Sequence, residues 1–339
     1  MKLFKKDQYS LSGWCSGLLV LLFCLSCFVF AGYGWFMGDG RNVDMRGMDE
    51  GADGNGTAAE TVVSESSAEM AEAELEAEAA AGLPFESFSA EEGTDSAEGK
   101  RETVPVRDLS SLDNTIQNWG QGVQFNSENQ PVSSLDFQEK YASFQADFIG
   151  PDEKVIWLTF DEGYENGHTG QILDTLHEKK CPAVFFITGQ YARENPDLIR
   201  QMIADGHAIG NHSWAHPAKG MPSLSVEAQI ADMEKLHQYV KDNYDYEMTL
   251  FRYPAGIFSE QSLAVVQNFG YRSLFWSFAY ADWDPDKQPD PAQALQKLKD
   301  RLHPGSIYLL HAVSATNADI LGDFIDHARA EGYEFKLPE

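Results

Sequence analysis

The sequence predicts an α/β fold, a deformed and incomplete (β/α) barrel that follows a membrane-spanning helix and a disordered acidic linker. From residue 155 onward, short apolar runs rich in β-branched and aromatic residues alternate with amphipathic stretches of helical period. Continuous apolar strands joined by helical crossovers indicate a parallel sheet that helices cover. Near the N-terminus, an uncharged apolar run precedes an acidic stretch with few aromatic residues. These observations place one globular domain in the C-terminal part of the chain.

The strand–helix alternation has six or seven units, which favours an incomplete barrel over an open, doubly wound sheet. The predicted strands cover residues 155–160, 183–188, 208–210, 249–252, 273–278, 306–310 and 333–336. The predicted helices cover residues 169–179, 196–205, 225–243, 259–269, 291–302 and 317–330. Ser259 and Asn317 are the expected N-caps, since their side chains accept hydrogen bonds from free backbone N–H groups. Gly206, Gly270 and Gly332 are expected to end helices, because glycine adopts the left-handed conformation at little cost.

The first 38 residues predict a membrane anchor. Residues 1–8, with Lys2, Lys5 and Lys6, form the expected cytoplasmic N-terminus, and the uncharged residues 9–38 supply more than the about 20 apolar residues that a spanning helix needs. Lysines before the span and acidic residues after it orient the globular domain outside the cytoplasm. We therefore expect a single-pass protein of the cell membrane. The alternative is secretion after cleavage of a signal peptide, although the run exceeds the usual apolar core of about 7–15 residues.

Residues 39–105 predict a disordered acidic linker. The whole chain of 339 residues has a formal net charge of -28, and residues 39–102 hold 18 acidic against 4 basic residues, so half of that charge lies in this segment. A segment so poor in apolar residues cannot offset the entropy lost on ordering. The acidic balance excludes nucleic acid as a partner, because phosphate binding needs a clustered basic face. No G-x-G-x-x-G sequence follows a predicted strand, so we expect no nucleotide cofactor.

Residues 106–150 predict an N-terminal extension that packs on the domain formed by residues 151–339. Its six large aromatic side chains resemble core content, and they are Trp119, Phe125, Phe137, Tyr141, Phe144 and Phe148. A separate sugar-binding module is the alternative. The segment is short and lacks strong periodicity, which favours packing on the larger domain.

Ionisable residues stand at the ends of five predicted strands, where barrels of this type carry their chemistry. They occur in Thr159-Phe160-Asp161-Glu162-Gly163, in His212 to His216, in Arg252-Tyr253-Pro254-Ala255-Gly256, in Asp282-Trp283 and in Leu309-Leu310-His311. Two histidines spaced i, i+4 can bind one metal ion from a helical turn or a tight loop, and a carboxylate commonly completes such a set. Singly, each residue has a structural explanation, such as a cap, a surface ion pair or a buried histidine. Together they predict one site.

This ordered set resembles the polysaccharide deacetylases, the NodB-homology domains of carbohydrate esterase family 4. The resemblance runs from Val155 to the C-terminus, and all five motifs occur in order. Within the family, the chain is most similar to the muramic-acid deacetylases of spore-forming bacteria. Gly163-Tyr164-Glu165-Asn166-Gly167, Phe275-Trp276-Ser277 and His303-Pro304-Gly305 carry that closer likeness. The resemblance implies an incomplete barrel of the NodB-homology type.

The resemblance also implies a role for each site residue. Asp161 is the catalytic base that Arg252 orients, and His311 is the acid that Asp282 positions. His212, His216 and Glu162 are the implied ligands of a divalent metal ion, zinc in the first place, with cobalt, manganese or nickel as alternatives. Trp283, Leu309, Tyr253 and Ala255 are the implied substrate-binding residues. Such a set supplies the base, the acid and the electrophilic stabilisation that amide hydrolysis needs.

Two positions depart from the family pattern. Glu162 stands where relatives usually have aspartate, so its longer side chain either reaches the metal ion or points away. Ala255 stands where relatives have tyrosine or arginine, and an arginine there is placed to meet the lactyl carboxylate of muramic acid. Arg193, Arg272 and Lys219 are then the remaining candidates for contact with that carboxylate.

The expected function is metal-dependent N-deacetylation of peptidoglycan amino sugars, with N-acetylmuramic acid as substrate and muramic δ-lactam of the spore cortex as the eventual product. One alternative is a deacetylase of N-acetylglucosamine in peptidoglycan or in chitin-like oligomers. An alternative of another class is a wall-glycan binding protein with impaired catalysis, which the unusual Glu162 supports. The expected partners are peptidoglycan strands and, through the N-terminal helix, the membrane.

Overall fold

The computed structural model describes residues 106–339, and the predicted cytoplasmic N-terminus, anchor and linker lie outside the described residues. In this part of the chain, no helix is long and apolar enough to cross a membrane. The strands are β1 (Gln117–Asn118), β2 (Ala146–Asp147), β3 (Val155–Glu162), β4 (Val184–Ile187), β5 (Ala208–Asn211), β6 (Leu250–Phe251), β7 (Ile257–Phe258), β8 (Arg272–Leu274), β9 (Ser306–His311) and β10 (Glu334–Phe335).

The α-helices follow the predicted alternation and add two that were not predicted. They are α1 (Val132–Tyr141), α2 (Thr169–Lys179), α3 (Gly189–Glu194), α4 (Pro196–Ala204), α5 (Val226–Tyr244), α6 (Glu260–Asn268), α7 (Pro291–Asp300) and α8 (Ala315–Ala330). Ser259 is confirmed as the N-cap of α6, where it forms a reciprocal capping box with Ser262. Asn317 is not the N-cap of α8, because Ser314 accepts the hydrogen bond from the Asn317 N–H and starts the helix earlier.

The strands form a parallel sheet that curls into an incomplete barrel, as predicted. Strand β3 lies between β9 and β4, and β5, β6 and β8 continue the order from β4. The two ends of the curled sheet meet only at a parallel bridge between Phe278 and Tyr308. Every one of these strands is short and buried, so its helical crossovers must cover the outer face.

The segment before β3 contributes side chains to the main core. Strand β2 pairs in parallel with β8, and the Phe148 ring stacks on Phe275 with 4.2 Å between centroids. Trp119 is buried, and its indole N–H donates to the carbonyl oxygen of Trp276 over 3.0 Å. Burial of these aromatic rings removes large apolar areas from water and fixes residues 117–125 beside the segment that follows β8.

Parallel alignment puts the carboxyl ends of the strands at one edge of the barrel. Asp161 is aligned with His311 across the β3–β9 pair, and Asn211, which precedes His212, is aligned with Phe251, which precedes Arg252. Four of the predicted site residues therefore lie at the same edge, although up to 150 positions separate them in the sequence.

Candidate active site

A cavity of about 480 Å³ opens at the carboxyl edge of the barrel, and we call it the catalytic pocket. Seven of the residues predicted for the site line it, namely Asp161, His212, His216, Ala255, Trp283, Leu309 and His311. Gly163, Tyr164, Trp276, Ala279, Tyr280 and Val313 complete its wall. Arg252 and Asp282 lie directly behind two of the lining residues, whereas Glu162 and Tyr253 do not face this cavity.

Arg252 is fully buried, and its guanidinium group is held by four oxygen atoms. It donates to Asp161 Oδ1 over 2.9 Å and to the hydroxyl of Thr159 over 2.7 Å. Its other contacts are the carbonyl oxygens of Leu274, at 2.9 Å, and Phe275, at 3.0 Å. The five donors of an arginine suit such a fixed arrangement. Arg252 therefore orients Asp161 at the floor of the pocket, at a depth where no solvent reaches the guanidinium.

Two opposing effects act on the carboxyl group of Asp161. Burial disfavours its charge, but the Arg252 guanidinium and then the His212 and His311 rings favour it, and the pKa of Asp161 is lowered. The residue is only 8% exposed, so the charge interactions act in a medium of low dielectric constant. Asp161 is thus an ionised carboxylate at the floor of the pocket, ready to accept a proton.

His212 and His216 lie in a tight loop after β5 rather than on a helix. Ser213 and His216 have φ angles of 73° and 49°, so the loop turns through the left-handed region. Asp232 on α5 holds this loop, because its two carboxylate oxygens accept the N–H groups of Trp214 and Ala215 over 2.9 and 3.0 Å. Asp232 lies in no motif that predicts this role from the sequence.

The two histidines have the chemistry of metal ligands. His212 Nδ1 lies 2.9 Å from the carbonyl oxygen of Arg252, so it is the protonated nitrogen, and Nε2 carries the lone pair. That Nε2 faces Asp161 Oδ2 at 3.5 Å, which brings two acceptors together and favours a cation between them. The rings of His212 and His216 are 5.0 Å apart, and loss of hydration lowers the pKa of both, which keeps them neutral. Neutral imidazoles suit zinc and similar divalent ions.

Glu162 does not line the catalytic pocket with the other predicted metal ligands, and its role as a ligand stays a prediction. Asp161 and Glu162 are adjacent on β3, so their side chains point to opposite faces of the sheet. Glu162 is fully buried on the outer face, and neither of its carboxylate oxygens has a hydrogen-bond partner among the described residues. Within residues 106–339, no group of three or more His, Cys, Asp or Glu side chains is arranged to hold a metal ion. The residues whose position and chemistry fit a divalent metal ion are His212 and His216, which line the pocket together with Asp161.

Glu162→Gln is expected to stabilise the protein above pH 4.5 and to leave metal affinity unchanged. Burial, and then the nearby Glu165 and Asp161, raise the pKa of Glu162 well above 4.5. Since the folded state keeps a proton that the unfolded state loses, stability is full below pH 4.5 and falls as pH rises toward the folded pKa. Glutamine does not titrate, so Glu162→Gln should avoid this loss of stability and raise the melting temperature at pH 8 by about 2 °C or more.

Calorimetry at pH 4 and pH 8, with zinc titrations, tests this expectation. His212→Ala serves as the control, and it should weaken zinc binding. A tenfold loss of zinc affinity in Glu162→Gln would show that Glu162 is a ligand after all.

His311 and Asp282 form the second pair of the pocket. Asp282 Oδ1 lies 2.8 Å from His311 Nδ1, and Asp282 Oδ2 accepts the backbone N–H of His311 over 2.9 Å. Asn317 donates to the same Oδ2 over 2.6 Å, so the carboxylate is held from three directions. Burial acts to lower the pKa of His311, but the hydrogen bond and the charge of Asp282 outweigh it and raise that pKa. The raised pKa favours a protonated imidazole at the pocket, whose wall includes the carboxylate of Asp161 as well.

The apolar wall of the pocket consists of side chains that suit a sugar and its acetyl group. Leu309 is buried in the wall, and Trp283 stands at the mouth with 57% of its surface exposed. Trp283 lies 6.2 Å from the His311 ring, centroid to centroid. Tyr164, 43% exposed, and Trp276 were not predicted as lining residues, although both lie in segments quoted for the family resemblance.

Tyr253, predicted to bind substrate, does not line the catalytic pocket. Its side chain is 1% exposed and stacks on Phe275 with ring centroids 5.5 Å apart, because alternation after β6 turns it into the aromatic core. Its neighbour Ala255 does line the pocket, with a left-handed φ of 52° that turns the chain between Pro254 and Gly256.

The three remaining cations proposed for carboxylate contact lie outside the catalytic pocket. Arg272 forms an ion pair with Asp147 at the start of β8, the opposite end of the barrel. The Arg193 guanidinium lies 5.0 Å from the ring centroid of Trp214, and Lys219 is not among the residues that line the cavity. Their sequence positions gave no signal that separated them from other surface cations.

Comparison with known proteins gives consistent matches. The family model described as polysaccharide deacetylase matches residues 149–274. The chain is 40% identical over 218 residues to an uncharacterised 30.6 kDa protein of Geobacillus stearothermophilus, which covers 63% of this chain and 82% of that protein. It is 38% identical over 200 residues to the peptidoglycan-N-acetylmuramic acid deacetylase PdaA of Bacillus subtilis, covering 58% of this chain and 74% of PdaA.

Two further comparisons concern the fold and a second type of substrate. The solved structure of Bacillus subtilis PdaA, a family 4 carbohydrate esterase, matches with a TM-score of 0.63 and 34% identity over 67% of this chain and 96% of PdaA. The peptidoglycan-N-acetylglucosamine deacetylase PgdA of Listeria monocytogenes is 31% identical over 182 residues, covering 54% of this chain and 37% of PgdA. With its curled parallel sheet and its two acid–base pairs, this chain belongs to the polysaccharide deacetylases of carbohydrate esterase family 4, hydrolases that act on amide C–N bonds.

Proposed function

We propose that this protein is a metal-dependent deacetylase of peptidoglycan, with N-acetylmuramic acid as its substrate and a role in forming muramic δ-lactam in the spore cortex. One observation carries the reaction: Asp161, which Arg252 holds, and His311, which Asp282 holds, both line one pocket with an apolar wall. Similarity to PdaA, a protein named for deacetylation of N-acetylmuramic acid, supports the choice of sugar.

The reaction follows from the protonation states of these two pairs. Asp161 accepts a proton from water as the water oxygen attacks the carbonyl carbon of the acetamido group. His311 donates its proton to the nitrogen as the C–N bond breaks, so that the products are acetate and the free amine of the sugar. A divalent ion such as zinc, held by His212 and His216, would supply Lewis-acid polarisation of the acetyl carbonyl. Leu309 offers the acetyl methyl group an apolar contact.

The alternative of a wall-glycan binding protein without catalysis depended mainly on the unusual Glu162. Because Glu162 lies on the outer face of β3, its identity does not alter the composition of the pocket. Asp161, Arg252, Asp282 and His311 keep their mutual hydrogen bonds, which a binding protein has no need to retain.

Asp282→Asn is expected to move the alkaline limit of acetate release to lower pH. The charge and hydrogen bond of Asp282 raise the pKa of His311 against burial, which alone lowers it. Without them His311 loses its proton at lower pH, so the acid that the leaving amine needs is absent at neutral pH. We expect kcat at pH 7.5 to fall by about tenfold or more, with a smaller loss at pH 5. The pH profile of kcat measures this, and an unshifted alkaline limb in a folded variant would remove His311 from the role of acid.

Mass analysis of peptidoglycan tests the proposed substrate. Spores of cells that lack this protein are expected to lack muramic δ-lactam, and expression of the wild-type chain, but not of Asp161→Asn, should restore it. Normal δ-lactam with altered acetylation of glucosamine alone would transfer the activity to N-acetylglucosamine, the substrate in the name of PgdA. Acetate release from chitin-like oligomers, measured beside release from peptidoglycan, separates the same two substrates in vitro.

A further inference from the structure

A second cavity adjoins the catalytic pocket and has the positive charge that the pocket lacks. Among the described residues, those that line the catalytic pocket include no lysine or arginine. The second cavity, of about 260 Å³, shares Ala279 and Tyr280 with it as wall residues. Lys297 and Arg301 line this cavity from the last turn of α7 and the residue that ends it. We call it the basic cavity.

Both cations lie over aromatic rings that line the basic cavity. Lys297 Nζ lies 5.8 Å from the ring centroid of Tyr280, a residue that lines both cavities. The Arg301 guanidinium carbon lies 4.0 Å from the ring centroid of Phe125, in the extension that precedes β2. Aromatic faces attract cations and hold them without neutralising their charge. Both charged groups therefore remain available to a ligand in the basic cavity.

Gln121 connects the walls of the two cavities. Its side-chain oxygen accepts the indole N–H of Trp276, which lines the catalytic pocket, over 3.1 Å. Its amide donates to the carbonyl oxygen of Ala279, a shared wall residue, over 3.0 Å. The extension thus joins a wall residue of the basic cavity to two wall residues of the catalytic pocket.

Neither cation has a carboxylate partner in the described part of the chain. The ion pairs of residues 106–339 include Arg200, Arg252 and Arg272 but neither Lys297 nor Arg301. Two like charges four positions apart at the end of a helix repel each other. In a chain whose formal net charge is -28, such an unpaired basic pair points to an anionic ligand.

We infer that the basic cavity is a carboxylate subsite, which binds an acid group of the glycan while the acetamido group occupies the catalytic pocket. The inference rests on the proposed function and gives the substrate class as an acidic glycan. Arginine pairs with carboxylates through two parallel hydrogen bonds, and lysine adds a point charge. Peptidoglycan offers two such acids, the lactyl carboxylate of muramic acid and the carboxylates of the stem peptide. Chitin-like oligomers offer none.

Equilibrium binding to the full chain tests the subsite without turnover. In an Asp161→Asn background, titration calorimetry compares three probes: a peptidoglycan tetrasaccharide stripped of stem peptides, the same tetrasaccharide with stems, and chitotetraose. Lys297→Gln and Arg301→Gln should each weaken binding of an acidic tetrasaccharide by about fivefold and leave chitotetraose within twofold. Lys299→Gln is the matched control, since Lys299 lies on the same helix but does not line the cavity.

The outcomes distinguish the lactyl carboxylate from the stem-peptide carboxylates as the bound acid group. They also distinguish failure of the subsite from failure of the deacetylase proposal. A loss with the stripped probe assigns the lactyl carboxylate, and a loss only with the stem-bearing probe assigns the peptide. Equal losses for all three probes, no loss for the acidic ones, or no binding of either acidic probe would overturn the subsite. If wild-type protein releases no acetate but the charge effect is present, the deacetylase proposal fails and the subsite stands. If wild-type protein releases acetate but the charge effect is absent, the subsite fails and the deacetylase proposal stands.

Discussion

Asp161→Asn is expected to reduce kcat for acetate release by about 10³-fold with little change in KM, as befits the loss of a general base. The amide has the shape of the carboxylate but cannot accept the proton of the attacking water. Asp161 is the carboxylate that lines the catalytic pocket in the described part of the chain, and its lowered pKa keeps it ionised. No neighbouring carboxylate can replace it, because Asp282 is engaged by His311 and Asn317.

Glu162→Gln is the matched control for this experiment. It makes the same change from carboxylate to amide one position along β3, but on the face of the strand that points away from the pocket. We expect it to retain more than half of the wild-type rate. Acetate assays on peptidoglycan, with the melting temperature and zinc content measured in parallel, distinguish catalysis from folding. A folded, zinc-loaded Asp161→Asn protein with more than a tenth of the wild-type kcat would exclude Asp161 as the base.

Arg252→Met is expected to have the largest effect on stability, a loss of about 3–5 kcal/mol in the free energy of unfolding at pH 7. The methionine keeps much of the volume of the side chain but removes the cation that offsets the buried charge of Asp161. It also leaves the carbonyl oxygens of Leu274 and Phe275 without their donor. Denaturant unfolding of the full chain measures the loss.

A double variant separates the charge from the packing. When Asp161→Asn is added to Arg252→Met, the carboxylate that Arg252 had paired with is gone, so part of the lost stability should return, and the two changes should be non-additive. Arg252→Met should also raise the pKa of Asp161 and move the acid limit of activity to higher pH, since the largest effect that opposes burial is then lost and only the His212 and His311 rings still act against it. A loss below about 1 kcal/mol would mean that the ion pair is not important for folding.

The order of the strand-end motifs made the fold and most of the site predictable from the sequence. Helix α2 has the predicted bounds of Thr169–Lys179, because its apolar residues follow the helical period and its ends are clear. The apolar run of residues 273–278 predicted a longer strand than β8, which ends at Leu274. Residues 277 and 278 leave the pairing with β6 and bridge toward β9 instead. Helices α1 and α3 were missed, because short segments carry little periodic signal.

One cause accounts for the two predicted site residues that the structure turns away from the pocket. Tyr253 and Glu162 stand beside true pocket residues in the sequence, and a motif cannot say on which side of the backbone each lies. Strand alternation turned Glu162 to the outer face, and packing turned Tyr253 into the aromatic core. The basic pair Lys297 and Arg301 was missed for the opposite reason, because nothing in their sequence neighbourhood separates them from other helical cations.

The sequence by itself determined the reaction class, since the types of acid, base and imidazole residues and their order along the chain specify a polysaccharide deacetylase. Only the tertiary structure decided which of those side chains meet. The direction of a side chain depends on strand register and on a loop that Asp232 holds, and both are set by contacts between residues far apart in the chain. The proximity of Lys297 to the catalytic pocket is likewise a consequence of packing, because the wall between them includes Gln121, more than 150 positions earlier in the chain.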